Sequence, residues 1–314
     1  MVSPCQHECH HWVSYAMRVS ICGGGVIGAS IAYFLSRRGV RATVIEGTGL
    51  ACAASGKSGG FLARDWCDGS PLAPLARRSF ALHAELAQRI TAEWGYRRLE
   101  TYGGLAGFRR RRSEYNLGWL SRDVTVTQAL GSPETTAQVH PGQFTTAMMR
   151  AAEAQGAQLR LGRVTGIVQH EGRATGVEVD GRLVESDAVV IAMGPWSILA
   201  ALWLPLPPVF GLKGHSLIFD TGAIIPAEAA FLEYRERSGK MLAPELFPRT
   251  DGTTYVCAIS SEEPLPTDPA QVVPDPAAIE RLEAMCARCR RSWPRRRSWR
   301  GRHVIARSRG TGCR

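Results

Sequence analysis

Three glycines and one acid near the start of the chain have the types and the spacing of a phosphate-binding turn. Gly23, Gly25 and Gly28 form the pattern G-x-G-x-x-G, and Glu46 follows eighteen residues after the last of them. In such a site the first glycine permits a tight turn, the second lets the backbone approach a pyrophosphate, and the third lets a helix lie close to a strand. An acid about twenty residues further on accepts hydrogen bonds from the ribose hydroxyls. The spacing predicts a dinucleotide site and leaves NAD and FAD open.

The residues around these glycines predict the elements that position them. Residues 17–22 form an apolar run typical of a buried parallel strand, and apolar residues then recur at helical spacing until Gly39. Residues 41–46 predict a second strand that ends on Glu46. The free N–H groups of a helix beginning near Val26 would bind the phosphates. A glycine turn without a ligand is the alternative, but the order of strand, helix, strand and acid favours a dinucleotide.

Residues 47–66 follow the acid as a long run of Gly, Ala and Ser. Small residues let the backbone run closely along a flat, extended ligand, and their N–H and hydroxyl groups can bind phosphate. A flexible surface linker is the alternative. Because the run joins a strand to an aromatic segment, we predict a ligand loop, which is more typical of FAD than of NAD domains.

The rest of the chain predicts a second layer of structure. Residues 71–95 have the period of a helical hairpin, and residues 142–155 predict a helix. Residues 188–193 predict an apolar strand that returns to the parallel sheet and stops at Gly194-Pro195. In residues 206–262, apolar and polar residues alternate as they do in the strands of an antiparallel sheet. His215 lies there, as a possible base or, more commonly for such a histidine, a structural residue.

Charge and cysteine content exclude several classes of protein. The formal charge of the 314 residues is +10, and eleven arginines without Asp, Glu or Lys lie in residues 286–314, which leaves −1 for the remainder. The basic character therefore belongs to the tail, and nucleic acid is not an expected partner of the fold. No apolar run approaches eighteen residues, so a transmembrane helix is not expected. Nine scattered cysteines without a secretory leader predict reduced thiols in a cytoplasmic protein, although an organelle stays possible.

Three charged or metal-prone segments have ordinary explanations. Residues 1–16 contain cysteines and histidines, but they are short and are expected to be a disordered extension. Residues 109–112 are four arginines, typical of a solvated loop. Cys286 and Cys289 form a single C-x-x-C without a second pair, so no metal site is predicted.

Several motifs together resemble the D-amino-acid-oxidase-like superfamily of FAD-dependent oxidoreductases, which includes glycine oxidase and sarcosine oxidase. These motifs are the glycine turn with Glu46, the Ala-Ser-Gly-Lys-Ser-Gly-Gly loop, the helix of residues 141–157 and Ile191-Ala-Met-Gly-Pro-Trp196. Residues 60–66 and 248–252 look closest to a poorly characterised branch in plants, algae and fungi. The resemblance covers roughly residues 17–285.

The resemblance implies an α/β fold in which a glutathione-reductase-type, Rossmann-like FAD-binding domain is interleaved with an antiparallel β-sheet substrate domain. The FAD-binding domain would comprise residues 17–105 and 140–205, and the substrate domain residues 106–139 and 206–285. The implied cofactor-binding residues are Gly23, Gly25, Val26, Ile27, Gly28, Glu46, Ser55, Gly56, Lys57, Ser58, Gly59, Val164, Ala192, Gly194 and Trp196. Arg64, beyond the flavin loop, is the candidate partner of a substrate carboxylate, with a surface ion pair as the alternative.

The implied reaction is oxidation of a C–N bond in a small-molecule amine or amino acid, with hydride transfer to flavin N5 and reoxidation by O2. The flavin supplies the chemistry, so the protein has to position the substrate and exclude water. A nicotinamide dehydrogenase is the alternative enzyme. A non-enzymatic protein with a basic arm for nucleic acid or an acidic membrane is the alternative outside enzymes.

The chain departs from the family pattern at its end. Members continue into an Arg-Pro-x-(Thr/Ser)-x-Asp-Gly-x-Pro segment that closes over the flavin, whereas this chain changes to Arg, Trp, Ser and Gly after Ala287. We therefore expect the C-terminal part of the fold to be missing. Residues 286–314 would be a disordered or out-of-frame tail, and the chain a truncated member with impaired activity.

Overall fold

The computed structural model describes residues 17–108, 112–207, 209–222 and 225–290, together with the backbone of residues 305–308. The helices are α1 (Val26–Ser36), α2 (Ala54–Lys57), α3 (Ala73–Arg89), α4 (Pro141–Glu153) and α5 (Pro276–Cys289). The strands are β1 (Arg18–Cys22), β2 (Arg41–Glu46), β3 (Phe61–Ala63), β4 (Arg97–Arg98), β5 (Glu100–Ala106), β6 (Val124–Gly131), β7 (Thr136–Gln138), β8 (Gln158–Leu161), β9 (Val164–His170), β10 (Arg173–Val179), β11 (Arg182–Glu185), β12 (Ala188–Ile191), β13 (Gly211–Asp220), β14 (Glu228–Arg235), β15 (Met241–Leu242), β16 (Glu245–Pro248), β17 (Thr253–Ser261) and β18 (Ile305–Ser308). Two 3-10 helices span Gly194–Leu202 and Pro269–Gln271.

The first layer is a parallel sheet in the order β12-β1-β2-β8. Its central strand β1 is buried on both faces, as its apolar sequence predicts. Val19 and Ile21 contact the core formed with α1 and α4, whereas Cys22 packs with Ile45 and Val177 beneath the β9–β11 meander. The carboxyl ends of β1, β2 and β12 therefore open at one edge, where ligands bind in open α/β sheets.

The second layer is a larger sheet in the order β18-β13-β17-β16-β14-β5-β6, with β15 added beside β14. One face carries α5, whose Leu282, Met285 and Cys286 are buried against strand residues such as Leu217. The other face carries Phe247 and Tyr255 and packs against Phe61 of β3, a strand of the separate sheet β3-β7-β4. This second face therefore forms one wall of the space between these two sheets.

The second sheet is mostly antiparallel, as predicted, and contains one parallel pair, in which β5 and β14 pair from Glu100↔Glu228 to Ala106↔Tyr234. β5 also crosses the predicted boundary at residue 105. The division of the chain into domains otherwise stays a prediction.

Two local predictions in the first half of the chain are wrong. Residues 71–95 hold one helix, α3, instead of a hairpin; Leu72 and Leu75 are 58% and 67% exposed, so they do not form a second core-facing stripe. The small-residue loop after Glu46 is not irregular throughout, because it contains α2 and leads into β3. Residues 1–16 and 109–111 lie outside the described residues.

The predicted start of the tail at residue 286 is also wrong. Asp275 caps α5 by accepting a hydrogen bond from the Ala277 N–H at 3.0 Å, and the apolar period continues to Cys289. Cys286 and Cys289 are 1% and 0% exposed, and burial raises the pKa of the Cys289 thiol to about 12. The backbone of residues 305–308 adds β18 to β13, although no strand is predicted there. In the part of the chain that the structure describes, we find no helix suited to crossing a bilayer.

Candidate functional site

The glycine turn has the geometry that the sequence predicts. Gly23 has a φ of +112°, and a Cβ at this position would lie 2.4 Å from the Ala192 carbonyl oxygen. A Cβ on Gly28 would lie 2.0 Å from the Gly23 carbonyl oxygen. No real Cβ comes that close, so α1 can begin directly over the end of β1 only with glycine at these positions.

The amino end of α1 is held by a hydroxyl from the small-residue segment. The Val26 N–H donates to Ser55 Oγ at 2.9 Å, and a Cβ on Gly25 would lie 3.0 Å from the same oxygen. The first N–H groups of a helix have no partner within the helix and bind anions readily. A phosphate oxygen could therefore take the place of the hydroxyl at this end of α1.

Glu46 is fixed at the carboxyl end of β2 by three backbone donors. Its Oε2 accepts from the Gly24 N–H at 2.6 Å, and its Oε1 accepts from the N–H groups of Thr48 at 2.9 Å and Gly49 at 3.3 Å. Charge-assisted hydrogen bonds of this kind orient a carboxylate firmly. The acid thus stands beside the turn with a defined orientation.

These residues surround a cavity of about 200 Å³, which we call the glycine-rich cavity. It brings together Gly23, Gly25, Val26, Ile27, Glu46, Ser55, Val164, Ala192, Gly194 and Trp196 from the predicted set. Gly28, Gly56, Lys57, Ser58 and Gly59 do not line it, and their cofactor role stays a prediction. Sequence reasoning missed Arg163, Leu199, Thr267 and Pro269. Thr267 and Pro269 come from the segment after β17, where no motif marks them.

A second cavity of about 390 Å³, the aromatic cavity, adjoins the first. Val26 and Ser55 line both cavities, and Ser58 and Gly59 line the second. Its walls come from the second sheet, from β3 and from helices α3 and α4, and they consist of Phe61, Trp66, His83, Val139, Phe144, Phe231, Glu245, Phe247, Tyr255 and Cys257, among others. An extended ligand could therefore run from the glycine-rich cavity past Ser55 into a space enclosed by rings.

Arg249 anchors the loop between the two cavities. Its guanidinium donates to the Ser58 carbonyl oxygen at 2.9 Å and lies 5.2 Å from the centre of the Tyr255 ring. Arg249 is only 6% exposed, and burial lowers the pKa of its guanidinium, although an arginine keeps its charge in proteins. Gly59, the next residue in the loop, lies against Phe247, because a Cβ there would be 2.5 Å from the ring. No sequence motif indicates this contact.

Two candidate residues lie away from both cavities. Arg64 pairs with Asp65 at 3.4 Å, with 40% of its side chain exposed, and lines neither cavity. This arrangement resembles the surface ion pair that was the alternative for Arg64. His215 is buried in β13, where burial lowers the pKa of its imidazole, and it too lines neither cavity.

Comparison with families and curated proteins points to flavin enzymes. The family described as DAO, FAD dependent oxidoreductase, matches residues 18–314. A protein of Schizosaccharomyces pombe provisionally named an oxidoreductase is 29% identical over 291 residues, which cover 81% of this chain and 73% of that protein. Glycine oxidase of Geobacillus kaustophilus is 38% identical over 79 residues, which cover 24% of this chain and 21% of that enzyme.

Solved structures show the same fold. The crystal structure of glycine oxidase from Geobacillus kaustophilus superposes with a TM-score of 0.75 at 20% identity, covering 94% of this chain and 84% of that one. Glycine oxidase from Bacillus cereus gives 0.72 at 21% identity, covering 93% and 84%. The predicted α/β fold is confirmed by these likenesses.

Proposed function

The chain belongs to the FAD-dependent oxidoreductase family, and from that membership we propose that it oxidises the C–N bond of a small amine or amino acid. The observation that carries the proposal is the pair of cavities that meet at Val26 and Ser55. One cavity has the backbone donors and the acid suited to a dinucleotide, and the other is apolar and ring-lined. FAD is the cofactor of the family, so the nicotinamide alternative is set aside.

The residues of the glycine-rich cavity fit FAD by their own geometry. The bare backbone at Gly25 and the Val26 N–H face the position expected for a pyrophosphate, and Glu46 stands where two ribose hydroxyls could donate to it. Val164, Ala192 and Trp196 supply further walls. These residues would hold the adenosine and phosphate portion, and the Ser58–Gly59 segment would follow the flavin.

When bound, FAD supplies hydride acceptance at flavin N5, with dioxygen as the final oxidant and hydrogen peroxide as its product. The protein itself has to bind FAD, bind and orient the substrate, and exclude water. Arg249 holds the Ser58 carbonyl and so fixes the loop between the cavities. The stacked rings of Phe61 and Phe247, whose centroids are 5.4 Å apart, give the aromatic cavity apolar walls that exclude water and against which a substrate carbon can be positioned.

Purification of the full chain and its absorption spectrum test the proposal. We expect bound flavin, or stoichiometric uptake of added FAD, and hydrogen peroxide formation from a panel of primary amines and amino acids in a peroxidase-coupled assay. Glu46→Gln should weaken FAD binding, whereas Glu280→Gln, a change at an exposed acid of α5 on the opposite face of the second sheet, should not. A protein that takes up no FAD, or that loads FAD and oxidises neither class of substrate, would contradict the proposal.

Impaired turnover from a truncated or frame-shifted C-terminal segment stays a separate prediction. It concerns residues 291–304 and 309–314, which lie outside the described residues, and the family match itself continues to residue 314. Sequencing the transcript across the codons for residues 280–295 tests it directly. Rates within the usual enzyme range of roughly 1–1000 per second would contradict impairment. The cytoplasmic location is likewise a prediction, to be tested by cell fractionation.

A further inference from the structure

One wall of the glycine-rich cavity comes from the part of the chain that follows the second sheet. Thr267 and Pro269 line this cavity, whereas its other lining residues lie in residues 23–55 and 162–199. Both belong to residues 262–275, which connect β17 to α5 and which we call the closing segment. A ligand in this cavity would therefore contact both the glycine turn and the closing segment.

A hydrogen bond from Trp196 holds the closing segment against the cavity. The indole Nε1 of Trp196 donates to the Pro266 carbonyl oxygen at 2.7 Å. Trp196 itself lines the cavity and is 7% exposed, and Pro266 directly precedes Thr267. An indole has one N–H and no acceptor, so this bond satisfies the polar group of the side chain. The bond therefore sets how closely the closing segment lies against the cavity.

Other contacts of the closing segment shape it from outside the cavity. At its beginning, the Glu263 carboxylate accepts a hydrogen bond from Lys213 Nζ at 2.7 Å. Further along, Asp268 accepts from the Ala270 N–H at 2.9 Å and caps the following 3-10 helix. Neither Glu263 nor Asp268 lines either of the two cavities. The closing segment therefore keeps its shape through groups that a bound ligand would not touch.

We propose that the closing segment and Trp196 form a gate over the adenosine end of the dinucleotide site, and that FAD enters and leaves when the bond from Trp196 to Pro266 opens. The inference rests on the proposed function for the identity of the cofactor, and it adds how cofactor exchange is controlled. Trp196 is a positioning residue here, because it holds the closing segment. A gate that is closed with and without ligand slows entry and exit alike, so weakening it should speed both and change the affinity little.

Stopped-flow fluorescence of the full chain, freed of flavin, tests the gate by measuring the association and dissociation rates of FAD. Trp196→Phe keeps an aromatic wall and removes the N–H. We expect both rates to rise about 2- to 12-fold, the factor that corresponds to the net contribution of one hydrogen bond, while the dissociation constant changes by less than about twofold.

Two variants in the closing segment accompany this measurement. Asp268→Ala removes the cap and should also speed both rates. Because Asp268 lies at the surface, this variant keeps the test valid if the protein misfolds with a substitution at position 196. Glu262→Gln changes an exposed acid of the same segment that lines neither cavity, and it should leave both rates unchanged.

Hydrogen exchange of residues 262–272, followed by mass spectrometry, gives a readout that does not depend on the flavin. ADP carries adenosine and a pyrophosphate, whereas FMN carries the flavin without adenosine. We expect saturating ADP to slow exchange in these residues as FAD does, and FMN to leave it unchanged. Without ligand, Trp196→Phe should exchange faster here than the unaltered chain, while α5 exchanges equally in both.

Unchanged FAD rates in Trp196→Phe would overturn the inference, and so would a faster dissociation alone, which indicates a direct contact instead of a gate. Exchange in the closing segment that ADP does not slow, or that FMN slows equally, would also overturn it. A protein that shows these rates and this protection but forms no peroxide contradicts the proposed function alone. A protein that binds neither FAD nor ADP contradicts both.

Discussion

Replacement of Gly28 by alanine is the sharpest test of how the cofactor site is built. The added Cβ would lie 2.0 Å from the Gly23 carbonyl oxygen and 3.3 Å from Ile21 Cγ2. The first neighbour is backbone and cannot rotate away. Because contacts below 3.0 Å do not occur for real Cβ atoms, α1 must retreat from β1 by about 1 Å. Overpacking of this kind costs about 1–3 kcal/mol.

The same displacement moves the Gly25–Val26 backbone from the position that would meet the pyrophosphate. A loss of about 1–3 kcal/mol in binding corresponds to a roughly 5- to 150-fold weaker affinity for FAD. Urea unfolding followed by circular dichroism measures the first effect, and titration of apoprotein with FAD, followed by flavin fluorescence, measures the second.

Gly142→Ala is the matched control. Gly142 lies in the first turn of α4, and a Cβ there would have its nearest neighbour, His140 Cε1, at 3.5 Å, an ordinary contact. Because alanine is the better helix former, the free energy of unfolding should stay the same or rise by up to about 1 kcal/mol, with FAD affinity unchanged. If Gly28→Ala kept both its stability and its FAD affinity, the close-approach argument would be refuted.

Three further predictions concern buried groups. Arg249→Met should weaken FAD binding in the same titration, because the Ser58 carbonyl loses its hydrogen-bond donor. The free energy of unfolding should change less than the free energy of FAD binding, because the substitution also removes a buried charge. Cys286 and Cys289 should resist iodoacetamide at pH 8 in the folded protein and react only in urea, as mass spectrometry would show, because burial raises the pKa of both thiols. Burial lowers the pKa of His83 and His215, so the unfolded chain binds more protons than the folded protein below about pH 6.5. The free energy of unfolding should therefore fall as the pH is lowered from 7.5 to 5, and this fall should be smaller in His215→Phe.

The local chemistry of the cofactor turn could be predicted because its determinants are adjacent in sequence. Gly23, Gly28 and Glu46 belong to one strand–helix–strand unit. A Cβ on Gly28 would collide with the Gly23 carbonyl oxygen, and Glu46 accepts a hydrogen bond from the Gly24 N–H in the same unit. Arg249 and Glu245 could not be found in this way. Glu245 begins β16 and lines the aromatic cavity, and Arg249 directly follows the same strand; only three-dimensional packing brings Arg249 to the Ser58 carbonyl.

The end of α5 shows a different failure of sequence reasoning. Sequence reasoning predicted no helix here, although Asp275 and the apolar residues of α5 have the spacing of a capped helix, and the arginines that follow Ala287 led to the predicted tail. Cys289, the last residue of α5, is buried in the core under the second sheet, and this burial is a tertiary effect. The parallel pairing of β5 with β14 is tertiary in the same sense, because no hairpin turn connects the two strands.

That parallel pair also constrains how the protein can be made. β5 ends at Ala106, but the strand beside it begins at Glu228, so the ribosome must add the whole intervening segment before the pair can form. At typical synthesis rates the delay is on the order of 10 s. During this interval one edge of β5 and the apolar face around Leu99 lack their partners, and such edges invite aggregation. Efficient production in a heterologous host should therefore depend on chaperones that shield the nascent chain, and on slow growth at low temperature.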